Sequence, residues 1–530
     1  MPERDGTHEL KLVILLSHNL CVSTQVGYET NADLNHEVVA EPVVGASVVM
    51  AESSRRTTCW ETGLMITPRQ LPAWMSSATF SGHWWPKGSP GLCYPGVLSV
   101  DGGVSLLTVT APPVGQEVFA LGTAPTIYGS VDGPHGPQQI TLWDRAGNYL
   151  AHANNGTDHA RNYTHVIVGA HVDDYASARF DHSAVSFNDL GEWSRFREAV
   201  PEATPDESLP HHTVATLNAP YRDMFDADYT VTVKLEYPSR VETSERFQSG
   251  AMINHQDQDA RVVFAVQPPA PALFHELLLQ DFQALLTFCY QSGAPVLGEW
   301  IGTDPKHLNP VLRRDTFRER VVRHLGESQM IVTPDESSFG ELVAKWWTVL
   351  DEEFPAPQIL TTYLHLRRGL LEQSTASALA ATENIHAHIG PSQQRFPRDE
   401  LAENKSKIKE AFPGANFAKF REFLYEKLRE NRPTLGTRLR ELVDIIGLPR
   451  MEALEIEPED WTQRFKRVRD KLAHTGAHVH RRGDSSEDLE LINAQTRALL
   501  TLLLLTRMGL QDEAIDRAAL TLSRFPHRSW

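Results

Sequence analysis

An abrupt change of texture near residue 270 constrains this 530-residue chain more than any other feature. Before it, short β-branched or alternating runs follow one another closely: Gly96–Val100, Val104–Thr110, Gln139–Trp143 and Tyr229–Tyr237. Between them lie the turn signals Asp101-Gly-Gly103, Asp132-Gly133, Gly136-Pro137 and Arg145-Ala-Gly147. Runs of period two punctuated by Gly, Pro and Asp predict antiparallel strands rather than βαβ units, here from Trp74 to about Asn254. After Pro268-Pro-Ala-Pro271 the apolar residues adopt helical spacing in Leu273–Cys289, Arg313–His324 and Phe339–Phe354. From Ala356 onward every periodic segment reads as helix: Ile359–His388, Arg398–Phe412, Asn416–Asn431, Leu435–Ile446, Pro458–His474, Glu487–Met508 and Asp512–Phe525. Stops stand at Pro397, Pro413-Gly414, Pro433, Gly447, Gly476 and Gly509. The fold class expected is α+β: a β-rich antiparallel sandwich or open barrel with a helical extension, then an all-α bundle. Three segments are expected: 1–73, 74–335 and 336–530. The first has no sustained period and is either a poorly ordered extension or a mis-assigned start preceding Met65 or Met75.

Composition enters chiefly through exclusions. The cysteines Cys21, Cys59, Cys93 and Cys289 are widely spaced with no CxxC pair, unlike a disulfide scaffold or zinc ribbon. The apolar run Ala498–Leu505 is far shorter than the roughly 20 residues a membrane span needs, and Leu12–Leu16 is too short for a signal peptide. A reducing, cytoplasmic setting with no membrane contact is expected. The net charge of −18 argues at first against nucleic acid. The charge is uneven, however. Residues 1–355 hold 23 basic and 44 acidic side chains, a net of −21; residues 356–530 hold the remaining 27 and 24, a net of +3.

The basic excess concentrates between Arg464 and Arg482. Arg464, Lys466, Arg467, Arg469, Lys471, His474, His478, His480, Arg481 and Arg482 are offset only by Asp470. A helix there must bury Phe465, Val468 and Leu472, which would leave the basic residues projecting to one side. Gly476 is placed as a C-terminal stop, so His474 would meet the negative end of the helix dipole, which favours its protonated form. Histidine also exchanges protons near neutral pH, as lysine and arginine do not. Within the segment lies Arg469-Asp-Lys-Leu-Ala-His474, an Arg–x4–His spacing. An acidic body could dock on this segment and mask it.

The ending Arg469-Asp470…Ala473-His474-Thr475-Gly476 resembles the Rx4–6H motif of HEPN ribonucleases, and Glu383 resembles the acidic residue those domains place facing it. Upstream, Gly82-His-Trp-Trp-Pro86, Pro95-Gly-Val-Leu98, Asp101-Gly-Gly103, Ile140-Thr-Leu142 and Phe187-Asn-Asp-Leu190…Trp193 resemble the N-terminal domain of ApeA-like abortive-infection proteins. The resemblance covers roughly residues 78–530. Asp470 departs from it, standing where Asn is commoner. The resemblance implies a metal-independent endoribonuclease of antiphage defence, with Arg469, His474, Asp470 and Glu383 as its catalytic residues. It implies no cofactor and no metal. RNA, tRNA included, would be held by Arg464, Lys466, Arg467, Lys471, His478, Arg481 and Arg482. It further implies a homodimer through the HEPN domain and a phage-derived trigger at the N-terminal domain. The alternatives are a non-catalytic HEPN bundle that binds RNA or a protein, and a regulator whose β domain binds a ligand.

Other patterns have blander readings. Glu383-x-x-His386-x-His388 has spacing a metal site could use but lacks further matched ligands. Trp84-Trp85 is either a ligand platform or core. Asp173-Asp174 and Asp223…Asp226…Asp228 read as loop carboxylates, and the sequons at Asn155 and Asn162 carry no meaning without secretion.

Overall fold

The computed structural model describes residues 77–524, apart from 102–103, 111–123, 134–135, 145–150, 153–157, 195–211, 219–224, 226, 237–241, 249–250, 258–259, 314–328, 367–370, 392–393, 430 and 476–485. The expected extension 1–73 lies outside the described residues. All described residues fall within one compact unit, Ile66–Trp530.

Among the described residues, sixteen strands carry the first part: β1 Ser77–Pro86, β2 Tyr94–Asp101, β3 Val104–Thr110, β4 Thr126–Gly133, β5 Gly136–Trp143, β6 Ala151–His152, β7 Asp158–Tyr163, β8 His165–Val168, β9 Arg179–Phe187, β10 His212–Asn218, β11 Thr230–Glu236, β12 Glu242–Gln248, β13 Ala251–Asp257, β14 Arg261–Pro271, β15 Val296–Gly302 and β16 Asn309–Arg313. Fourteen join in one antiparallel sheet, in the order β10-β11-β14-β9-β15-β16-β8-β5-β4-β1-β2-β3-β7-β6, while β12 and β13 pair as a separate ribbon. Strand structure therefore runs well past Asn254. The prolines of 268–271 close β14 rather than a linker, and the pairing of β14 with β9 shifts register between Ala265 and Ala270. A bulge there admits residues that have no N–H to give the ladder. Arg313, expected to open a helix, ends β16; 314–324 lie outside the described residues.

The alternation read from the sequence is real burial. Leu98 and Val100 of β2, Leu107 and Val109 of β3, and Ile140 and Leu142 of β5 are all buried in one core cluster. Trp84 is its centre, fully buried, with its indole N–H donating to the Gly96 carbonyl at 3.1 Å. Gly129 occurs between the buried Ile127 and Val131 because a Cβ there would sit 2.3 Å from the Trp84 ring. Trp84 is thus core and not a ligand platform. Asp173 and Asp174 pair with Lys87 at 3.2 and 2.9 Å.

Helices make up the rest: α1 Ala272–Tyr290, α2 Phe339–Glu352, α3 Ala356–Leu366, α4 Leu371–Ile389, α5 Arg398–Ala411, α6 Ala418–Arg429, α7 Leu435–Ile446, α8 Leu448–Ala453, α9 Pro458–Thr475, α10 Ser486–Arg507 and α11 Asp512–Arg524. The expected helix Ile359–His388 corresponds to α3 and α4, with 367–370 between them outside the described residues. Two helix starts carry side-chain caps: the Ser338 hydroxyl accepts from the Glu341 N–H at the start of α2, and Thr434 caps α7 through the Thr437 N–H. No described helix is long and apolar enough to cross a membrane.

One hydrophobic core crosses the expected boundary at 335/336. It runs from Val185 on β9 through Phe282 on α1 and Trp346 on α2 to Leu360 on α3 and Leu502 on α10. The Trp346 indole donates to the Asp281 carbonyl at 3.0 Å, and Trp193 donates to Val332 at 2.9 Å. The Phe187–Trp193 motif is therefore part of this seam. Arg507 of α10 donates to the fully buried Glu353 at 2.5 Å and to Glu352 at 2.9 Å, and Arg517 of α11 bonds Glu336.

A buried ionic cluster ties the two halves of the sheet where β8 meets β16. Glu276 of α1 faces His165 Nε2 of β8 at 3.0 Å, Arg313 Nη1 of β16 at 3.3 Å and the Tyr175 hydroxyl at 2.8 Å; Arg313 Nε also donates to Glu299 of β15 at 2.8 Å. Burial by itself would raise the Glu276 carboxyl, but the positive charge of His165 and Arg313 and the bonds from His165 and Tyr175 outweigh it and bring its pKa down to about 2. Next to it His275 is buried between the Ser183 hydroxyl and the Phe180 carbonyl. Burial, only partly opposed by that carbonyl, lowers its pKa to about 4.

Both shifts make the fold acid-sensitive. The unfolded chain takes up the His275 proton near 6.5 and the Glu276 proton near 4.5, before the folded chain does. Stability should therefore be full above pH 6.5 and fall below it, by about 1.4 kcal/mol per pH unit for each group in its window. Denaturant titrations between pH 7 and 4.5 should show this slope, and His275→Gln should flatten it; an unchanged slope in that variant would contradict the assignment. The shared core carries a second expectation. A fragment 356–530 leaves Leu360, Leu364 and the Arg507 guanidinium without α1, α2 and Glu353, and should show no cooperative thermal transition by circular dichroism. A sharp transition with full helicity would show that the bundle folds alone.

Candidate functional site

The bundle is arranged around α10, whose Leu499, Leu500 and Leu502–Leu505 are all fully buried. Helix α9 lays Trp461, Phe465 and Val468 against it at i, i+4, i+7, and the Trp461 indole donates to Thr496 of α10 at 3.3 Å. Helix α4 buries Ala378, Leu379, Ala381, Thr382 and Ile385, and α7 buries Leu439, Leu442, Val443 and Ile446. These apolar stripes fix which polar residues face across the helices.

Two polar rungs join α4 to α7. Glu383 Oε2 accepts from Arg438 Nη2 at 2.9 Å, and one turn on His386 Nε2 lies 2.6 Å from Glu441 Oε2. The matching i, i+3 spacing on both helices makes the rungs a pair. The other oxygen of Glu383 accepts from Arg469 Nε of α9 at 3.2 Å. One carboxylate thus holds two guanidinium groups from two helices. The Glu383 and Arg438 side chains are about one-fifth exposed, whereas Arg469 is 43% exposed. Arg469 Nη1 also lies 3.6 Å from the exposed Asp470, an ion-pair distance too long for a hydrogen bond. A guanidinium has five donors, so Arg469 keeps capacity for the oxygens of an anion at the surface.

The other expected residues are more dispersed. Arg464 leans toward α10, 3.4 Å from Gln495 and 3.9 Å from Asp488, and Lys466 lies over Gly436 of α7. Arg467 is exposed and Lys471 half-buried. Among the described basic side chains, Arg464 turns to α10 and Lys466 to α7, so these do not all project to one side. The partners of Arg464 and Arg469 named here belong to the bundle, not to the acidic body expected to mask them. His474 belongs to α9, but its side chain lies outside the described residues, as do His478, Arg481 and Arg482. Glu383, His386 and His388 do not converge as a ligand set would: they turn to Arg438 and Arg469, to Glu441 and to Glu353, the last at 3.2 Å. Among the described residues, no group of three or more His, Cys, Asp or Glu could hold a metal. Arg438 was missing from the sequence reading. Its only linear signal is its place in the first turn of α7, next to a cap and a glycine.

This bundle and the sheet before it can be compared with known families. A family model described as ApeA N-terminal domain 1 matches residues 79–298, and one described as Apea-like HEPN matches residues 377–514. The chain has the ApeA-like architecture. The HEPN match takes in Glu383, Arg438, Arg469 and His474, while β16, α2 and α3 fall between the two matches. Searches of the curated proteins and of the solved structures find no match.

The Glu383 bridge has a measurable strength. Glu383→Gln should cost about 1 kcal/mol in denaturant unfolding, because it leaves Arg438 and Arg469 facing each other without a counter-charge in a partly exposed site. A double-mutant cycle of Glu383→Gln with Arg469→Ala should give a coupling near 0.5–1 kcal/mol; additivity would contradict the contact.

Proposed function

We propose that this protein is an endoribonuclease effector of antiphage, abortive-infection defence. The observation that carries the reading is Glu383 of α4 bound to Arg469 of the Arg–x4–His segment, inside the region matched by the Apea-like HEPN model. In this reading the RNA 2′-OH attacks the adjacent phosphate. His474 moves the proton, since an imidazole pKa lies near the working pH. Arg469 grips the scissile phosphate and offsets the charge that builds on it, and Glu383 fixes the guanidinium plane. No step calls for a metal ion, and DNA, which lacks the 2′-OH, is not cut by this route. Asp470 tempers the positive charge of Arg469. Two copies pair through their HEPN domains to bring two Arg–His sets to one cleft, in the cytoplasm, with the β-rich domain receiving a phage-derived trigger.

The test is incubation of the purified full chain with total RNA and with tRNA, alongside extracts of infected cells as activator. Wild type should cleave, and Arg469→Ala and His474→Ala should each lose at least ~100-fold in rate. Absence of cleavage by activated wild type favours a HEPN bundle that only binds. Full activity in both variants shows that the chemistry lies elsewhere.

A further inference from the structure

Helices α5 and α6 form a hairpin unlike the rest of the bundle. No residue of α5 is buried, and α6 carries Phe420 and Phe423 at 45% and 51% exposure, with Phe417 at 46% in the 3-10 turn Ala415–Phe417 before it. The hairpin holds itself together: the Phe412 ring meets Phe417 and Phe420 at centroid distances of 5.5 and 5.1 Å, Tyr425 donates to the Lys405 carbonyl at 3.2 Å, and Arg421 bonds the Gly414 carbonyl at 2.8 Å. The Tyr425 and Arg421 contacts lie on the inner side of α6; Phe420 touches Phe412 and is still 45% exposed. On the outer side, positions 420, 423 and 427 follow the i, i+3, i+7 spacing of one helical face, with Lys419 at its edge. Lys427 Nζ lies 5.9 Å from the centre of the Phe423 ring. Lys419 and Lys427 are exposed, so cationic and aromatic side chains stand together here, with the exposed Glu422 and Glu426 along the flank of the face.

The root of the hairpin matters as much as its tip. Asn431 clamps it, accepting from Arg395 N–H at 2.8 Å through its carbonyl and exchanging two 2.9 Å side-chain bonds with the Phe396 backbone. One leg leaves from the end of α4, which carries Glu383, and the other enters α7, which carries Arg438 in its first turn. A strand held at Arg469 thus lies beside the base of this hairpin.

From the exposed Phe and Lys side chains rooted beside the Glu383–Arg438–Arg469 bridge, we infer that the outer face of α6 is a stacking platform for single-stranded RNA entering or leaving the candidate nuclease site. This deepens the proposed function and rests on it. Bases of any identity stack on phenylalanine faces, while Lys419 and Lys427 meet the phosphates; duplex RNA keeps its bases paired and offers no free faces. A second copy of this chain is the competing occupant. The two exposed lysines favour a polyanion over a like-charged copy of the same face.

The experiment uses the full chain carrying His474→Ala, so that RNA is not consumed, and fluorescence anisotropy with a 12-nucleotide oligouridylate and with a 12-base-pair RNA duplex. Phe420→Ala with Phe423→Ala should weaken oligouridylate binding about 10- to 100-fold, from stacking of one or two bases, and leave duplex binding within about twofold. Phe420→Ala also removes a ring contact with Phe412, so Phe423→Ala alone, which leaves that contact in place and should match the parent in circular dichroism and melting, must itself weaken oligouridylate binding. Tryptophan at both positions should restore binding. Unchanged oligouridylate affinity in the alanine variant, with the parent binding well, overturns the platform and leaves the nuclease reading standing. Loss of a dimer in sedimentation velocity with RNA affinity unchanged assigns the face to a second copy and overturns it as well. A parent that binds no RNA at all overturns both readings.

Discussion

A helical stretch buried on every side must be wrapped, and residues 499–505 of α10 are such a stretch. The run Leu499–Leu505 has no side chain exposed, polar Thr501 included, since its hydroxyl bonds back to the Arg497 carbonyl at 2.9 Å. At roughly 1.5–3 kcal/mol for each leucine taken out of water, no surface interaction in the bundle competes with this term. It brings α4, α7 and α9 to one neighbourhood. Glu383, Arg438 and Arg469 then meet because they stand just off the stripes those helices bury. The polar bridge is a consequence of the packing and tunes it; it does not drive it.

The same reasoning joins the two parts of the chain. The core that covers α10 continues through α3, α2 and α1 to buried residues of β9 and β14, so the bundle and the sheet share apolar surface and not only a linker. Ion pairs at the seam, Arg507 with Glu352 and Glu353 and Arg517 with Glu336, use acidic residues of the body to meet basic residues of the bundle far along the chain from Arg469. The charge asymmetry thus acts at a packed seam, where burial weakens salt screening, as well as over the open surface, where fields fade beyond about 8–10 Å.

Much of this was legible in the sequence. The helices after Ala356 have clear periods and stops, and the structure puts most boundaries within two residues of them. The pairing of Glu383 with Arg469 followed from a family resemblance, not from periodicity, because 86 residues separate the two. Strands β15 and β16 were missed because Gly298 interrupts the alternation of the first and Pro310 stands second in the five residues of the other. In β14 the prolines looked like a linker; a register shift takes them into the sheet. Arg438 and Glu441 were missed for a deeper reason. A single carboxylate shared by two cations, or a buried His386–Glu441 contact, is a property of three packed helices and leaves no linear spacing to read.

The central claim is that the Arg469 and His474 segment cuts RNA through its own 2′-OH without a metal. The direct measurement is end-group analysis of the fragments, made by mass spectrometry after cleavage by the activated full chain in EDTA. The account predicts 2′,3′-cyclic phosphate and 5′-hydroxyl ends at an undiminished rate. Fragments with 3′-hydroxyl and 5′-phosphate ends, or cleavage that EDTA abolishes, would contradict it.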